Sequence, residues 1–421
     1  MFQKSIFFDL ETTSKLFVGQ ILNFCFVTVD ENFNKIKTLK GDVKLSRLQL
    51  PEPEAILANK VNVLTREAEL TEFEAAKTIW SFLCDESKDG VALIGYNSNR
   101  FDYDFLKTTL NRNGFIPPST RLKRRDLLHA VRYLCAKNLE VRKALTKDDK
   151  LVCTLENVSQ TFGLLDGAQA HEAEADVELS IKLGKYILDN FNLDIRTFSG
   201  YEPPMLSKYE VVSKVDGLVE KPFCLLDENL NGALWVDLGK FKEVENKREA
   251  VFYYNKNKSD FFIGETEPEP LSLDFMSSLE EAYKAVTLDN FFSEPKGDIE
   301  AFIYKMRNEE IIALGDLIKG KELNSSPTDN TKRLWGRWKL ANLPESDPFV
   351  QKNLPEYAKY RYGGGMNLGA DTPNIHKTAK ELFMELENFR KSESGENREI
   401  LDALREYYLA SPMFTEFLKD S

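Results

Sequence analysis

The chemistry available to this sequence rests on four acids and one histidine. Ser5-Ile6-Phe7-Phe8-Asp9-Leu10-Glu11-Thr12-Thr13 reads as a short buried strand that ends in two acids. Side chains of a strand alternate, so Asp9 and Glu11 project from one face while Ile6, Phe8 and Leu10 project from the other. Two adjacent carboxylates repel each other. A hard divalent cation such as Mg²⁺ or Mn²⁺ prefers carboxylate oxygen and removes that repulsion. An isolated Asp-x-Glu is more often a strand running into a solvated acidic turn. Here further acids lie downstream: Asp102 at the start of a helix, and Asp176 five residues after His171. Five residues turn a helix through about 140°, so His171 and Asp176 do not share a helix face. With His171 in the preceding loop and Asp176 in the first turns, both reach one pocket. Such a set suits phosphodiester hydrolysis by two divalent ions, with a histidine that titrates near neutrality deprotonating the water. Each piece alone is commonplace, since acids favour helix N-termini. The order Asp-x-Glu, Asp, His-x4-Asp is the specific signal.

The elements that must hold these residues follow in order. Gln20–Val29 is rich in β-formers and reads as a second strand, and Lys35–Leu45 as a third. Ala55–Asn59 forms a helical turn after Pro51 and Pro53. Thr71–Cys84 carries Phe73, Ala76, Trp80 and Leu83 at helical spacing, with Thr71 as cap and Glu74 in the capping-box position. Val91–Tyr96 is a short apolar strand. A loop of Asn97-Ser98-Asn99-Arg100-Phe101-Asp102 leads from it into a helix with Phe105, Leu106 and Leu110 inward. Helices over Asp126–Ala136 and Leu155–Phe162 follow, the second closed by Gly163. The last long helix turns Val177, Ile181, Gly184 and Leu188 inward. This alternation predicts an α/β domain over 1–198. A linker at Ser199–Pro204 separates it from a small β domain over 205–285, with strands at Tyr209–Val212, Phe223–Leu226 and Ala233–Asp237. A helical domain over 286–421 follows, broken at Lys321–Thr331 and at Gly363-Gly364-Gly365.

The chain has 421 residues, too many for one ordinary core. No apolar run approaches a membrane span. The early first strand leaves no room for a signal segment, and five cysteines without a Cys-x-x-Cys read as reduced thiols, so the expected location is cytoplasmic. The net charge of −12 argues against nucleic acid unless a local basic path exists. Two clusters could supply one: Arg121, Lys123, Arg124 and Arg125, and Lys332, Arg333, Arg337 and Lys339, the latter interleaved with Trp335 and Trp338. A charge run is as often a solvated face.

The order of acids and histidine resembles that of the DnaQ-like (DEDDh) 3′–5′ exonucleases. Tyr96-Asn97-Ser98-Asn99-Arg100-Phe101-Asp102, Arg125-Asp126-Leu127-Leu128, Ala170-His171-Glu172-Ala173 and Leu64-Thr65-Arg66-Glu67-Ala68 resemble the exodeoxyribonuclease I family within that group. Asn290-Phe291-Phe292-Ser293 and Lys332-Arg333-Leu334-Trp335-Gly336-Arg337-Trp338 look like that family's C-terminal helical region. The resemblance implies a ribonuclease-H-like exonuclease domain, an SH3-like β domain and a helical C-terminal domain. It implies degradation of single-stranded DNA to 5′-mononucleotides, in DNA repair and recombination, by a monomer that uses two Mg²⁺ ions, with Mn²⁺ able to substitute. It implies metal ligation by Asp9, Glu11 and Asp176, with Glu11 also touching substrate, Asp102 completing the acidic set and His171 as general base. Lys107, Arg112 and Arg132 fall where the family places DNA-contacting basic residues. Thr154 stands where the family carries an arginine. A single-stranded-DNA-binding protein is the implied partner. The alternatives are an exoribonuclease, a proofreading-type exonuclease, or a catalytically silent nucleic-acid-binding protein.

Overall fold

The structure, a computed structural model, describes residues 4–16, 18–148, 150–165, 172–198, 209–216, 219–228, 232–255, 263, 271–272, 275–279, 308–363 and 377–418. Its organising strand is β1 (Lys4–Thr12). β1 pairs antiparallel with β2 (Ile21–Asp30), which pairs antiparallel with β3 (Lys35–Asp42). After α1 (Pro53–Ala58) and α2 (Glu72–Glu86), β4 (Val91–Gly95) runs parallel to β1 on its other side. After α3 (Asp102–Arg112), β5 (Leu122–Asp126) extends the sheet in parallel, giving the order β3-β2-β1-β4-β5. The carboxyl ends of β1, β4 and β5 therefore open at one edge, the usual place for a site in an α/β sheet.

The alternation in β1 falls as its sequence requires. Ile6, Phe8 and Leu10 pack with α2 and α3 on one face. Phe7 packs on the other face with α4 (Leu127–Lys137) and α7 (Ala173–Phe191). Between those helices lie α5 (Leu139–Ala144), the short pair β6 (Thr146–Lys147) and β7 (Lys150–Leu151), and α6 (Leu155–Thr161). The expected capping box of α2 is present: Thr71 accepts from the Glu74 N–H while Glu74 accepts from the Thr71 N–H.

The sequence reading lacked β5, along with the short elements α5, β6, β7, α8 and β11. The basic run at 121–125 is not a solvated face but β5, a strand at the sheet edge. Arg125 Nε donates to the carbonyl of Arg196 at 3.1 Å, and the Arg124 guanidinium lies 4.2 Å over the Tyr103 ring. Four charged residues in five conceal a strand from any hydrophobicity pattern.

Beyond this domain, β8 (Val211–Asp216), β9 (Val219–Glu228), β10 (Gly232–Asp237) and β11 (Val251–Asn255) form an antiparallel sheet in the order β11-β10-β9-β8, with α8 (Leu238–Glu243) packed against it. The C-terminal helices are α9 (Asn308–Ile318), α10 (Asp329–Asn342), α11 (Pro348–Tyr362), α12 (Ala379–Ser392), α13 (Gly395–Ala410) and α14 (Pro412–Leu418). Among the described residues, their largest core is shared with the first domain. Leu22, Leu48, Leu50, Ile56 and Val63 from the first domain are buried together with Leu354, Leu386, Leu401 and Tyr408. Among the described residues, no helix is long and apolar enough to cross a membrane. The five cysteines are free.

Candidate active site

Asp9 and Glu11 sit at the carboxyl end of β1, on the face that α7 covers. Asp176 lies in the first turn of α7. Carboxylate oxygens of Asp9, Glu11 and Asp176 all lie within 4.8 Å of one another, and all three residues are half-buried. α7 approaches this closely because Gly184 faces β1. A Cβ there would stand 3.2 Å from the Phe33 ring and 3.3 Å from the Phe7 ring, tighter than ordinary contact.

Asp102 opens α3 directly behind this cluster and is 4% exposed. Burial, together with the charges of Asp126 and Glu11, outweighs its backbone hydrogen bonds and pushes its carboxyl up to about 8. Burial, then the charges of Asp102, Glu11 and Asp176, holds the Asp9 carboxyl well above the usual range. Four acids crowded where water is scarce cannot all hold their charge unaided, and a hard divalent cation with oxygen ligands would compensate that charge. The donor set therefore fits the metal expected from the sequence: three convergent carboxylates, with no nitrogen or sulfur among them.

The loop that delivers Asp102 is pinned by Asp126, which the sequence reading did not single out. Asp126 caps α4 by accepting from the Leu128 N–H at 3.0 Å. The same carboxylate accepts from the Asn97 N–H at 2.8 Å and the Asn99 N–H at 3.0 Å. It thereby ties the end of β5 to the loop after β4, where Asn97 adopts a left-handed backbone with φ of 57°. Its place as a cap just before a helix was the available signal.

The remaining expected residues divide. His171 lies outside the described residues. Lys107 is exposed on α3, Arg132 is half-buried on α4, and Thr154 is exposed. Thr154 caps α6 by accepting from the Asn157 N–H at 3.2 Å. Its cap role gives the hydroxyl a local structural task.

Arg112 requires a correction. It is 1% exposed and donates to the carbonyls of Val18 at 2.9 Å and Gly19 at 2.8 Å, and to the Glu72 carboxylate. It braces the interior and does not face a DNA path. Arg337 is likewise buried and donates to Glu72 at 2.8 Å, so the basic cluster on α10 divides: Lys332 and Arg333 are exposed, while Arg337 is structural. Trp335 and Trp338 stack on each other at 5.0 Å, with Lys339 5.0 Å over the Trp335 ring.

Residues 6–183 match the RNase_T family model, whose description is exonuclease. The matched span contains Asp9, Glu11, Asp102 and Asp176. E. coli Exonuclease I in complex with a dT13 oligonucleotide superposes with a TM-score of 0.70 at 20% identity, covering 96% of this chain and 99% of that one. A moderately thermophilic Exonuclease I from Methylocaldum szegediense gives 0.66 at 20% identity, covering 96% and 98%. A zinc-bound complex of the E. coli enzyme with single-stranded DNA gives 0.66 at 18%, covering 97% and 99%. At these identities the likeness establishes the fold, and it extends through the β sheet and C-terminal helices beyond the exonuclease domain. No curated protein sequence matches the chain.

Proposed function

We propose that this protein is a divalent-metal-dependent exonuclease that removes nucleotides from the 3′ end of single-stranded DNA as 5′-mononucleotides. The observation that carries the reading is the convergence of Asp9, Glu11 and Asp176 at the open edge of an exonuclease-family sheet. Those three carboxylates would hold the metal, Mg²⁺ with Mn²⁺ as substitute. When bound, it neutralises their charge, favours attack by water and stabilises the leaving oxygen. Asp102, buried behind the ligands, completes the acidic set. His171, eligible by residue type and by its place before α7, takes the proton from the attacking water.

Single-stranded DNA is favoured over RNA because the fold matches Exonuclease I end to end, including structures of that enzyme with oligonucleotides. As part of the same proposal, the enzyme acts in DNA repair and recombination as a cytoplasmic monomer, and the β8–β11 sheet is the SH3-like part of a 205–285 domain. Exonuclease I is also known in a complex with SSB-Ct, which supports a single-stranded-DNA-binding protein as partner. Lys107 and Arg132 would contact phosphates, and Thr154 stands where a further phosphate contact is expected.

The test is degradation of matched single-stranded DNA, duplex DNA and RNA in Mg²⁺, each against EDTA. Mononucleotide release from single-stranded DNA in Mg²⁺ alone is the expected result. Preference for RNA would replace the substrate, and insensitivity to EDTA would remove the metal.

A further inference from the structure

The segment that leaves β1 immediately after Glu11 is held from outside by residues far away in the chain. Within the segment, the Thr13 N–H donates to the Gln20 carbonyl at 2.9 Å, the Gln20 N–H donates to Thr13 Oγ1 at 2.8 Å, and Thr12 Oγ1 donates to the Ser14 carbonyl at 2.9 Å. From outside, the Glu52 N–H donates to the Thr13 carbonyl at 2.7 Å. Asn59 Nδ2 donates to the Thr12 carbonyl at 2.9 Å. Ser14 Oγ donates to one oxygen of the Glu52 carboxylate. The other oxygen accepts from Lys377 Nζ at 3.2 Å, and Lys377 also donates to Glu385 of α12 at 2.6 Å. At the far end of the segment, the Val18 carbonyl accepts from Arg112 and from Arg361 of α11, each at 2.9 Å.

Glu52 is 5% exposed, and a buried carboxylate is held only where its partners compensate its charge. Both oxygens are used, one on the segment after Glu11 and one on the C-terminal helical region. The apolar contacts agree, since Leu48, Leu50 and Ile56 on either side of Glu52 are buried with the C-terminal helices. The two attachments come from separate helices of that region, α11 through Arg361 and the start of α12 through Lys377.

We infer that Glu52 is a positioning residue for the metal site, and that through Lys377 and Arg361 the C-terminal helices fix the backbone that follows Glu11. This inference rests on the proposed metal centre. It gives the C-terminal region a task in catalysis distinct from any contact with DNA. Loss of the Glu52 carboxylate frees the Ser14 side chain and the link to Lys377, lets the backbone after β1 relax, and loosens Glu11 as a ligand while leaving Asp9 and Asp176 in place.

The experiment is Mn²⁺ binding to the full-length protein by calorimetry, with thermal unfolding measured on the same samples. Glu52→Ala should weaken Mn²⁺ binding about tenfold, the low end for residues that orient metal ligands. Glu52→Gln, whose single carbonyl oxygen still accepts from Ser14 but whose amide nitrogen cannot accept from Lys377, should recover only part of that loss. Lys377→Met, at a partly exposed site, should weaken binding in the same direction and serves as the informative variant if Glu52→Ala does not fold. Failure of the wild type to bind Mn²⁺ would remove the metal centre itself. Binding in the wild type with unchanged affinity in folded Glu52→Ala and Lys377→Met would leave the centre standing and overturn the positioning role alone. Lowered thermal stability with unchanged affinity would assign the bridge to folding only, which also overturns it.

Discussion

Asp176, in the first turn of α7, brings a carboxylate oxygen within 4.8 Å of one on Asp9, at the end of β1. The pairing depends on how closely the helix lies on the strand, and Gly184 sets that distance against Phe7 and Phe33. Gly184→Val adds volume where a single Cβ is already tight. It should cost about 1–3 kcal/mol of stability, the usual penalty of overpacking, and should weaken divalent-metal binding by displacing Asp176. Denaturant unfolding and Mn²⁺ titration of the same variant check both parts. Unchanged values in both would mean that α7 is free to shift.

His171→Ala should lower turnover by about 10²–10⁴, the usual contribution of general acid–base catalysis. Binding of single-stranded DNA with Ca²⁺ in place of Mg²⁺ should change little, because this residue is not assigned to phosphate. Single-turnover rates measured beside binding titrations distinguish the two effects. Undiminished turnover would assign the water's proton to another group.

Glu72 carries a pH dependence that the metal does not touch. Burial pushes its carboxyl upward, but Arg112 and Arg337 more than reverse this and bring it down to about 2, against an ordinary 4.5. A depressed folded value means that the stabilisation is present above about 4.5 and is lost as pH falls towards 2. Urea unfolding of the wild type and Glu72→Gln should therefore differ by a constant amount above pH 5 and converge as the pH falls towards 2. A gap that persists unchanged to the lowest pH would show that the charge of Glu72 is not what holds the two arginines.

Replacing Lys107 and Arg132 together by Ala should weaken binding to all single-stranded sequences alike and flatten its dependence on salt, because phosphate contacts release counterions and carry no base identity. Arg112→Ala should instead act on stability, by about 3–5 kcal/mol, since it removes one partner of a buried ion pair. Binding titrations at several salt concentrations, with unfolding curves for each variant, separate the two kinds of arginine. An unchanged salt slope in the double variant would send the strand elsewhere.

Much of the site was legible because it obeys local rules. The period of two in β1 put Asp9 and Glu11 on one face, and the capping box of α2 and the inner stripe of α7 were written in their own residues. What was not legible depends on partners distant in the chain. Arg112 reads as a surface cation until Glu72, Val18 and Gly19 are seen around it. Arg337, which completes the same ion pair, lies 265 residues from Glu72. β5 was missed because four of its five residues are charged, so it carries no apolar alternation to detect. Asp126 carried a recognisable cap signal, but its second task, holding the loop before Asp102, exists only once β4 and β5 lie side by side.

The central claim is that Asp9, with Glu11 and Asp176, forms the metal centre of a 3′→5′ exonuclease. The most direct measurement is release of the terminal nucleotide from 3′-labelled single-stranded DNA in Mg²⁺, comparing the wild type with Asp9→Ala and checking the fold of both by circular dichroism. The account predicts rapid release of a labelled 5′-mononucleotide by the wild type, none in EDTA, and none from a folded Asp9→Ala protein. Substantial Mg²⁺-dependent release by folded Asp9→Ala would contradict it.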